Sequence, residues 1–189
     1  MITASIVGID EVGRGCWAGP VVAGAVILSE DIGGLKDSKK LSKKQREALA
    51  SLITDTAVSA SLGWVPPAEV DEIGLTAAVR LAMKRAVAEI SVGYEKIIID
   101  GSFNFLTDNL KASTLIKADD LIQSVSAASI IAKVARDNYM AEQAKLYPGY
   151  GFENHVGYGT KQHLNALLSL GVTPLHRLSY KPVRATMQP

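Results

Sequence analysis

The sequence predicts an α/β fold, a mixed sheet of about five strands flanked by helices, with a helical C-terminal segment. Three observations carry this expectation. Short β-branched runs alternate with longer stretches of helical periodicity. The first two apolar runs, Ile6–Ile9 and Val21–Leu28, are joined by a glycine-rich turn, so they are expected as neighbours in the sheet. Apolar runs also lead repeatedly into carboxylates, at Asp10, Asp100 and Asp119, and parallel strands of α/β proteins place their chemistry at such ends.

Length and composition bound the rest. A chain of 189 residues, 48% hydrophobic and 21% charged, is long enough for one well-packed domain. Residues 1–147 are expected as the core and 148–189 as a segment packed on it. The 20 basic and 19 acidic residues leave a net charge of +1, so no overall basic excess advertises nucleic-acid binding, although a local patch is compatible with it. One cysteine excludes an internal disulfide framework and a cysteine-rich zinc site. No uninterrupted apolar stretch reaches membrane-spanning length, and Met1-Ile2-Thr3 leads directly into the first strand. The expected compartment is therefore the cytoplasm, with no membrane partner.

The stretch Ile6 to Pro20, IVGIDEVGRGCWAGP, organises the chain. Its strand delivers Asp10 and Glu11 to a turn where Gly13, Arg14 and Gly15 set a guanidinium between two residues without Cβ atoms. Backbone amides and an arginine fork can there approach a phosphate or ribose. Adjacent residues on a regular strand face opposite sides, so either the strand bends at Asp10 or Asp10 and Glu11 contribute unequally. Val21–Leu28 is nearly continuously apolar, as a strand covered on both faces should be. Lys36–Lys44 is the most basic stretch, and Ser42 with Gln45 has capping-box spacing, which predicts a helix over Lys43–Ile53. Ala57–Val65 alternates loosely as a third strand, ended by Pro66-Pro67.

A short helical turn is expected over Glu69–Gly74. Ala78, Val79, Leu81, Ala82, Ala86, Val87 and Ile90 then recur at helical spacing, predicting a helix over Thr76–Val92. Ile97, Ile98 and Ile99 run into Asp100-Gly101 as a central strand. Ser113–Ile116 is a further short strand. Leu121–Tyr147 follows as a long helix whose stripe of Ala128, Ala132 and Ala135 allows close packing on a sheet until Pro148 ends it. A last helix is expected over Lys161–Leu170.

In an open sheet the three strand ends can converge on one rim, and gathered carboxylates repel one another unless divalent cations neutralise them. Oxygen ligands without Cys/His clusters suit Mg²⁺ or Mn²⁺ rather than zinc, and two such ions roughly 4 Å apart serve phosphodiester hydrolysis. His155, His163 and His176 lie in separate segments without metal-ligand spacing and read as surface or packing residues.

The ordered set Asp10 to Gly15, Ile98 to Gly101, Lys117-Ala118-Asp119, Ser126 to Asp137, Gly157 to His163 and His176-Arg177 resembles the pattern of type 2 ribonucleases H, the bacterial ribonuclease HII family, across nearly the whole chain. The resemblance implies a ribonuclease H-like fold. It implies a metal-dependent endonuclease that hydrolyses the RNA strand of RNA:DNA hybrids, cuts at single ribonucleotides in duplex DNA and leaves 3′-hydroxyl and 5′-phosphate ends. By the same match Asp10, Glu11, Asp100 and Asp119 hold the metal, Gly13, Arg14 and Gly15 contact the ribose that carries the 2′-hydroxyl, and Tyr158 stacks beside it.

Lys39, Lys40, Lys43, Lys161 and Arg177 are candidate phosphate neutralisers. Asp137 is expected in an ion pair with Lys133 or Arg136 rather than on a metal. A monomer is expected. The sequence departs from the family at Cys16-Trp17, where Pro-Leu is usual, at Asp120, and at His176 to Tyr180, where His-Arg-Arg-Ser-Phe is common. Two rival readings are another two-metal nuclease on the same fold and a catalytically weak hybrid-binding module, which a rim of carboxylates would serve poorly.

Overall fold

The computed structural model describes residues 5–35 and 41–187. Strands β1 (Ile6–Val12), β2 (Val21–Ile27), β3 (Ser59–Val65), β4 (Lys96–Asp100) and β5 (Ala112–Leu115) form one sheet in the order β3-β2-β1-β4-β5. β2 pairs antiparallel with β1 and β3, whereas β4 runs parallel to both β1 and β5. The linker after β1 explains the first of these pairings. A short turn can only reverse the chain, as it does between β1 and β2, while a parallel neighbour requires a crossover.

The helices are α1 (Lys43–Thr56), α2 (Pro67–Ile73), α3 (Leu75–Ala88), α4 (Ala118–Leu121), α5 (Gln123–Leu146), α6 (Phe152–His155), α7 (Lys161–Leu170) and α8 (Lys181–Ala185). α1 begins with the expected capping box: the Ser42 hydroxyl accepts the Gln45 N–H, and the Gln45 side chain accepts the Ser42 N–H at 2.9 Å. α3 turns Ala78, Val79, Ala82, Met83 and Ala86 into a core with Val7, Ile9, Ala23, Val65, Ile97 and Ile99.

α5 covers the opposite face of the sheet, almost in backbone contact. A Cβ on Gly8 would lie 2.1 Å from the carbonyl carbon of Ser124, and one on Gly24 would lie 2.4 Å from the Ala128 oxygen. These two glycines set the depth at which α5 rests on β1 and β2. Because side chains alternate along β1, Asp10 shares the α5 face with Gly8.

Several expected boundaries move, and three of them bear on the site or its supports. β1 continues past its apolar run to Val12, held by the pairing of Glu11 with Ala23 and Val12 with Val22. α3 ends at Ala88, before Ser91 and Gly93, rather than near Val92. The long helix expected from Leu121 is broken: Ile122 is extended at φ −123° and ψ 114°, which separates α4 from α5. Lys117, left-handed at φ 58°, turns the chain out of β5 and into α4. Asp119 therefore sits in the first turn of a short helix, not at a strand end.

Beyond α5, Tyr150, Phe152, Ala166 and Leu175 cluster with Met140 of α5 and with Ala18 from the turn after β1. This cluster fastens the C-terminal helices beside the strand end that carries Asp10. No helix among the described residues is long and apolar enough to cross a membrane.

Candidate active site

Ile9 pairs with Ile99 in the parallel ladder of β1 and β4, and the next residue of each strand is a carboxylate, Asp10 beside Asp100. Asp10 Oδ1 accepts the Glu11 N–H at 2.8 Å, and its side chain also hydrogen-bonds Ser129 of α5. Asp100 Oδ1 accepts the Ala118 N–H at the start of α4, again at 2.8 Å. β1 is regular through Val12, so the strand does not bend at Asp10 and the two adjacent acids leave it on opposite sides. Glu11 leaves the other side of the strand and pairs with Arg14, its Oε1 2.9 Å from Nη1.

These groups share one cleft of about 470 Å³, walled by Asp10, Glu11, Asp100, Gly13, Arg14, Gly15 and Tyr158 together with Arg46, Ser129 and Lys133. Burial pushes the Asp10 carboxyl up to about 7, and the neighbouring charges of Glu11 and Asp100 add to the effect. Burial raises Glu11 as well, against the pull of Arg14. Crowded carboxylate oxygens with strengthened proton affinity are the donor set a hard divalent cation compensates, so the residues present fit Mg²⁺ or Mn²⁺. Among the described residues no three His, Cys, Asp or Glu side chains are drawn together tightly enough to enclose an ion. Protein groups engage the oxygens instead: Arg14 at Glu11 and the Ala118 N–H at Asp100. Asp119 follows Ala118 directly and is half-buried beside the cleft, off its wall.

Tyr158, 41% exposed, forms one side of the cleft. Its backbone bridges to Cys16, and Lys133 Nζ lies 5.9 Å from its ring centroid. Lys133 Nζ also pairs with Asp137 Oδ1 at 2.8 Å, the expected i,i+4 ion pair. Sequence reasoning passed over Ser129, Lys133 and Arg46 as cleft residues. For the first two the signal was present, a polar residue and a cation at i,i+4 on a helix otherwise rich in small apolar residues; for Arg46 it was only proximity to the basic stretch before α1.

The expected phosphate contacts divide. Lys39 and Lys40 lie outside the described residues. Lys43 reaches Glu47 at 3.8 Å on the exposed face of α1, and Lys161 opens α7 in solvent, away from the cleft wall. Arg177 departs from its expected role. It is fully buried, with Nε and Nη2 donating to Gly19 O at 3.0 and 2.8 Å, and Nη1 donating to Arg14 O at 3.1 Å and to the Tyr180 hydroxyl at 2.9 Å. Its donors serve the protein, and burial withdraws it from any phosphate. The three histidines, far apart in sequence, pack together: the rings of His155 and His163 stack at 4.6 Å, and all three side chains are buried.

The family model for ribonuclease HII matches residues 7–183. The ribonuclease HII of Shewanella pealeana is 50% identical over 183 residues, covering 95% of this chain and 89% of that protein. The ribonuclease HII of Ligilactobacillus salivarius is 48% identical over 181 residues, covering 95% of this chain and 70% of that protein. In three dimensions the chain is similar to the ribonuclease H2 of Pyrococcus horikoshii OT3, with a TM-score of 0.80, 29% identity and 96% of each chain covered. The mixed sheet and the strand-end acids lie inside that matched span, and the chain belongs to the ribonuclease HII family.

Proposed function

We propose that this protein is a metal-dependent endonuclease that hydrolyses the RNA strand of RNA:DNA hybrids and cuts at single ribonucleotides embedded in duplex DNA, leaving 3′-hydroxyl and 5′-phosphate ends. One observation supports this reading above the others: the register of β1 and β4 sets Asp10 beside Asp100 in the same cleft that Gly13, Arg14, Gly15 and Tyr158 line. Acids suited to phosphodiester hydrolysis and a loop suited to reading a ribose thus face one space.

Asp10, Glu11 and Asp100, with Asp119 beside them, are the residues that would hold Mg²⁺ or Mn²⁺. Bound there, one or two such ions supply Lewis acidity and make a water nucleophile available at neutral pH. The chain's own groups orient the substrate. Gly13 and Gly15 let the backbone approach the ribose that carries the 2′-hydroxyl, which is both donor and acceptor, and Tyr158 offers an aromatic face to the adjacent sugar. Arg14, half-exposed and anchored through Glu11, presents the rest of its fork to the strand. Arg46 and Lys133 line the same cleft as cations that neutralise phosphate.

With a net charge of +1, affinity rests on these local cations. The partner is a nucleic-acid duplex, gripped by a cytoplasmic monomer whose segment from residue 148 onward contributes Tyr158.

The test presents purified protein, with Mg²⁺ or Mn²⁺, with three duplexes: DNA carrying one ribonucleotide, an RNA:DNA hybrid, and DNA alone. Cleavage of the first two with the third intact is expected. Folded protein that leaves the first two intact in both metals would refute the proposal.

A further inference from the structure

Behind the cleft lie two fully buried guanidiniums, Arg136 of α5 and Arg177, to which hydrolysis itself gives no task. Arg136 donates from Nε to Pro20 O at 2.9 Å, from Nη2 to Ala18 O at 3.0 Å and from Nη1 to Val156 O at 2.9 Å. Arg177 grips Gly19 O with two donors and Arg14 O with a third. The Tyr180 hydroxyl accepts from Arg177 and donates to Arg14 O at 2.7 Å. A buried charge is tolerated only when its donors are satisfied. Here backbone carbonyls from two separate loops, and one phenol, satisfy them.

Those loops are the ones that face the substrate. Gly13, at φ 90°, packs so closely on Arg136 that a Cβ would lie 2.4 Å from Nε. Val156 is a non-glycine residue held at φ 44°, and its carbonyl is an Arg136 acceptor, directly before Gly157 and Tyr158. Gly157 O in turn receives the N–H groups of Trp17 and Ala18 at 2.8 and 3.2 Å. The ribose-facing turn and the tyrosine loop are thus tied to the same two cations.

We propose that Arg136 and Arg177, completed by the Tyr180 hydroxyl, are positioning residues that lock the Gly13–Gly15 turn and the Tyr158 loop into one rigid gauge for a single ribose. The assignment rests on the ribonucleotide-cleaving function proposed above. Recognition of a lone 2′-hydroxyl requires donor and platform to be held within about 0.5 Å, which mobile loops do not provide. A longer hybrid offers several registers and more 2′-hydroxyl contacts, so it tolerates a looser gauge.

Tyr180→Phe removes one hydroxyl and keeps the ring, which makes it the variant least able to disturb folding. Loss of one net hydrogen bond from the gauge lowers kcat on the single-ribonucleotide duplex about threefold or more relative to the hybrid. Arg177→Lys retains the charge but cannot reach all three acceptors, and it lowers the same ratio further. KM and the Mn²⁺-induced rise in melting temperature stay at wild-type values in Tyr180→Phe. If both variants keep the wild-type ratio, or lose both activities equally as their melting temperatures fall, the residues serve stability alone and the positioning proposal is overturned. Wild-type protein that cuts neither substrate instead refutes the functional reading beneath it.

Discussion

His163 Nε2 lies 3.0 Å from His176 Nε2, and the pair ends on the loop that carries Tyr158. The Thr173 N–H donates to His176 Nδ1 at 2.8 Å, so His176 carries its proton on Nε2 and donates it to His163, whose Nδ1–H then donates to Tyr158 O at 2.9 Å. Both rings are neutral in this relay, and burial holds both pKa values down to about 4. Between there and the ordinary histidine value of 6.5 the unfolded chain binds more protons than the folded one. The pair's contribution to stability is therefore complete above pH 6.5 and is lost as pH falls toward 4. Asp10 acts in the opposite sense: with its folded pKa raised to about 7, it favours the folded state at low pH, and that contribution is lost as pH rises through 7. Metal-free Asp10→Asn should thus lose melting temperature between pH 7 and pH 5 more steeply than wild type. A flat profile for this variant would contradict a neutral histidine pair.

Asp100→Asn should separate charge from structure at the cleft. The amide oxygen can still accept the Ala118 N–H, so the join between β4 and α4 survives, while the charge that helps raise Asp10 disappears. The expected protein folds, melts no lower than wild type without metal, and loses nearly all cleavage. Mg²⁺ should raise the melting temperature of wild type more than that of the variant. Equal Mg²⁺-induced shifts would remove Asp100 from the ligand set.

What could be read in advance was what nearby residues decide. The capping box at Ser42 and Gln45, the isoleucine run into Asp100 and the Lys133–Asp137 pair depend on neighbours within one turn or one strand. What escaped depends on distant partners. The break between α4 and α5 accompanies a bond from the Ile32 N–H to Gln123 Oε1 at 2.8 Å, across 91 residues, and it moves Asp119 onto a helix. Arg177 looked like a phosphate ligand because its acceptors, Gly19 and Arg14, lie 158 and 163 residues away and only the fold brings them to it. Strand alternation raised the question of how Asp10 and Glu11 leave the strand, but excluding a bend at Asp10 required the register with β2.

Asp137→Asn should weaken the fold more than the chemistry. The Lys133–Asp137 pair is about four-fifths buried on both sides, and loss of one partner leaves Lys133 without its counter-charge on the cleft wall. The expected cost is about 1 kcal/mol of stability, with cleavage far less affected than in Asp100→Asn. Metal-induced stabilisation should persist. Its disappearance in thermal melts would make Asp137 a ligand and overturn the ion-pair assignment.

Tyr158→Ala tests ribose selection, the property that separates this enzyme from a general nuclease. The ring is 41% exposed along the cleft, while its backbone is tied to Cys16 and its carbonyl to His163. Truncation therefore removes the platform and leaves the loop anchored. Aromatic stacking on nucleotides is worth about 1 to 3 kcal/mol, so cleavage should fall roughly tenfold or more, with metal-induced stabilisation unchanged. Arg46→Ala, at another residue of the same cleft wall, should fail differently, weakening every duplex alike and lowering the salt slope of binding by about one unit. The single-ribonucleotide substrate has one productive register, and a hybrid has many, so Tyr158→Ala should harm the former more. Wild-type rates on both substrates would return Tyr158 to the status of a packing residue and take from ribonucleotide recognition its aromatic half.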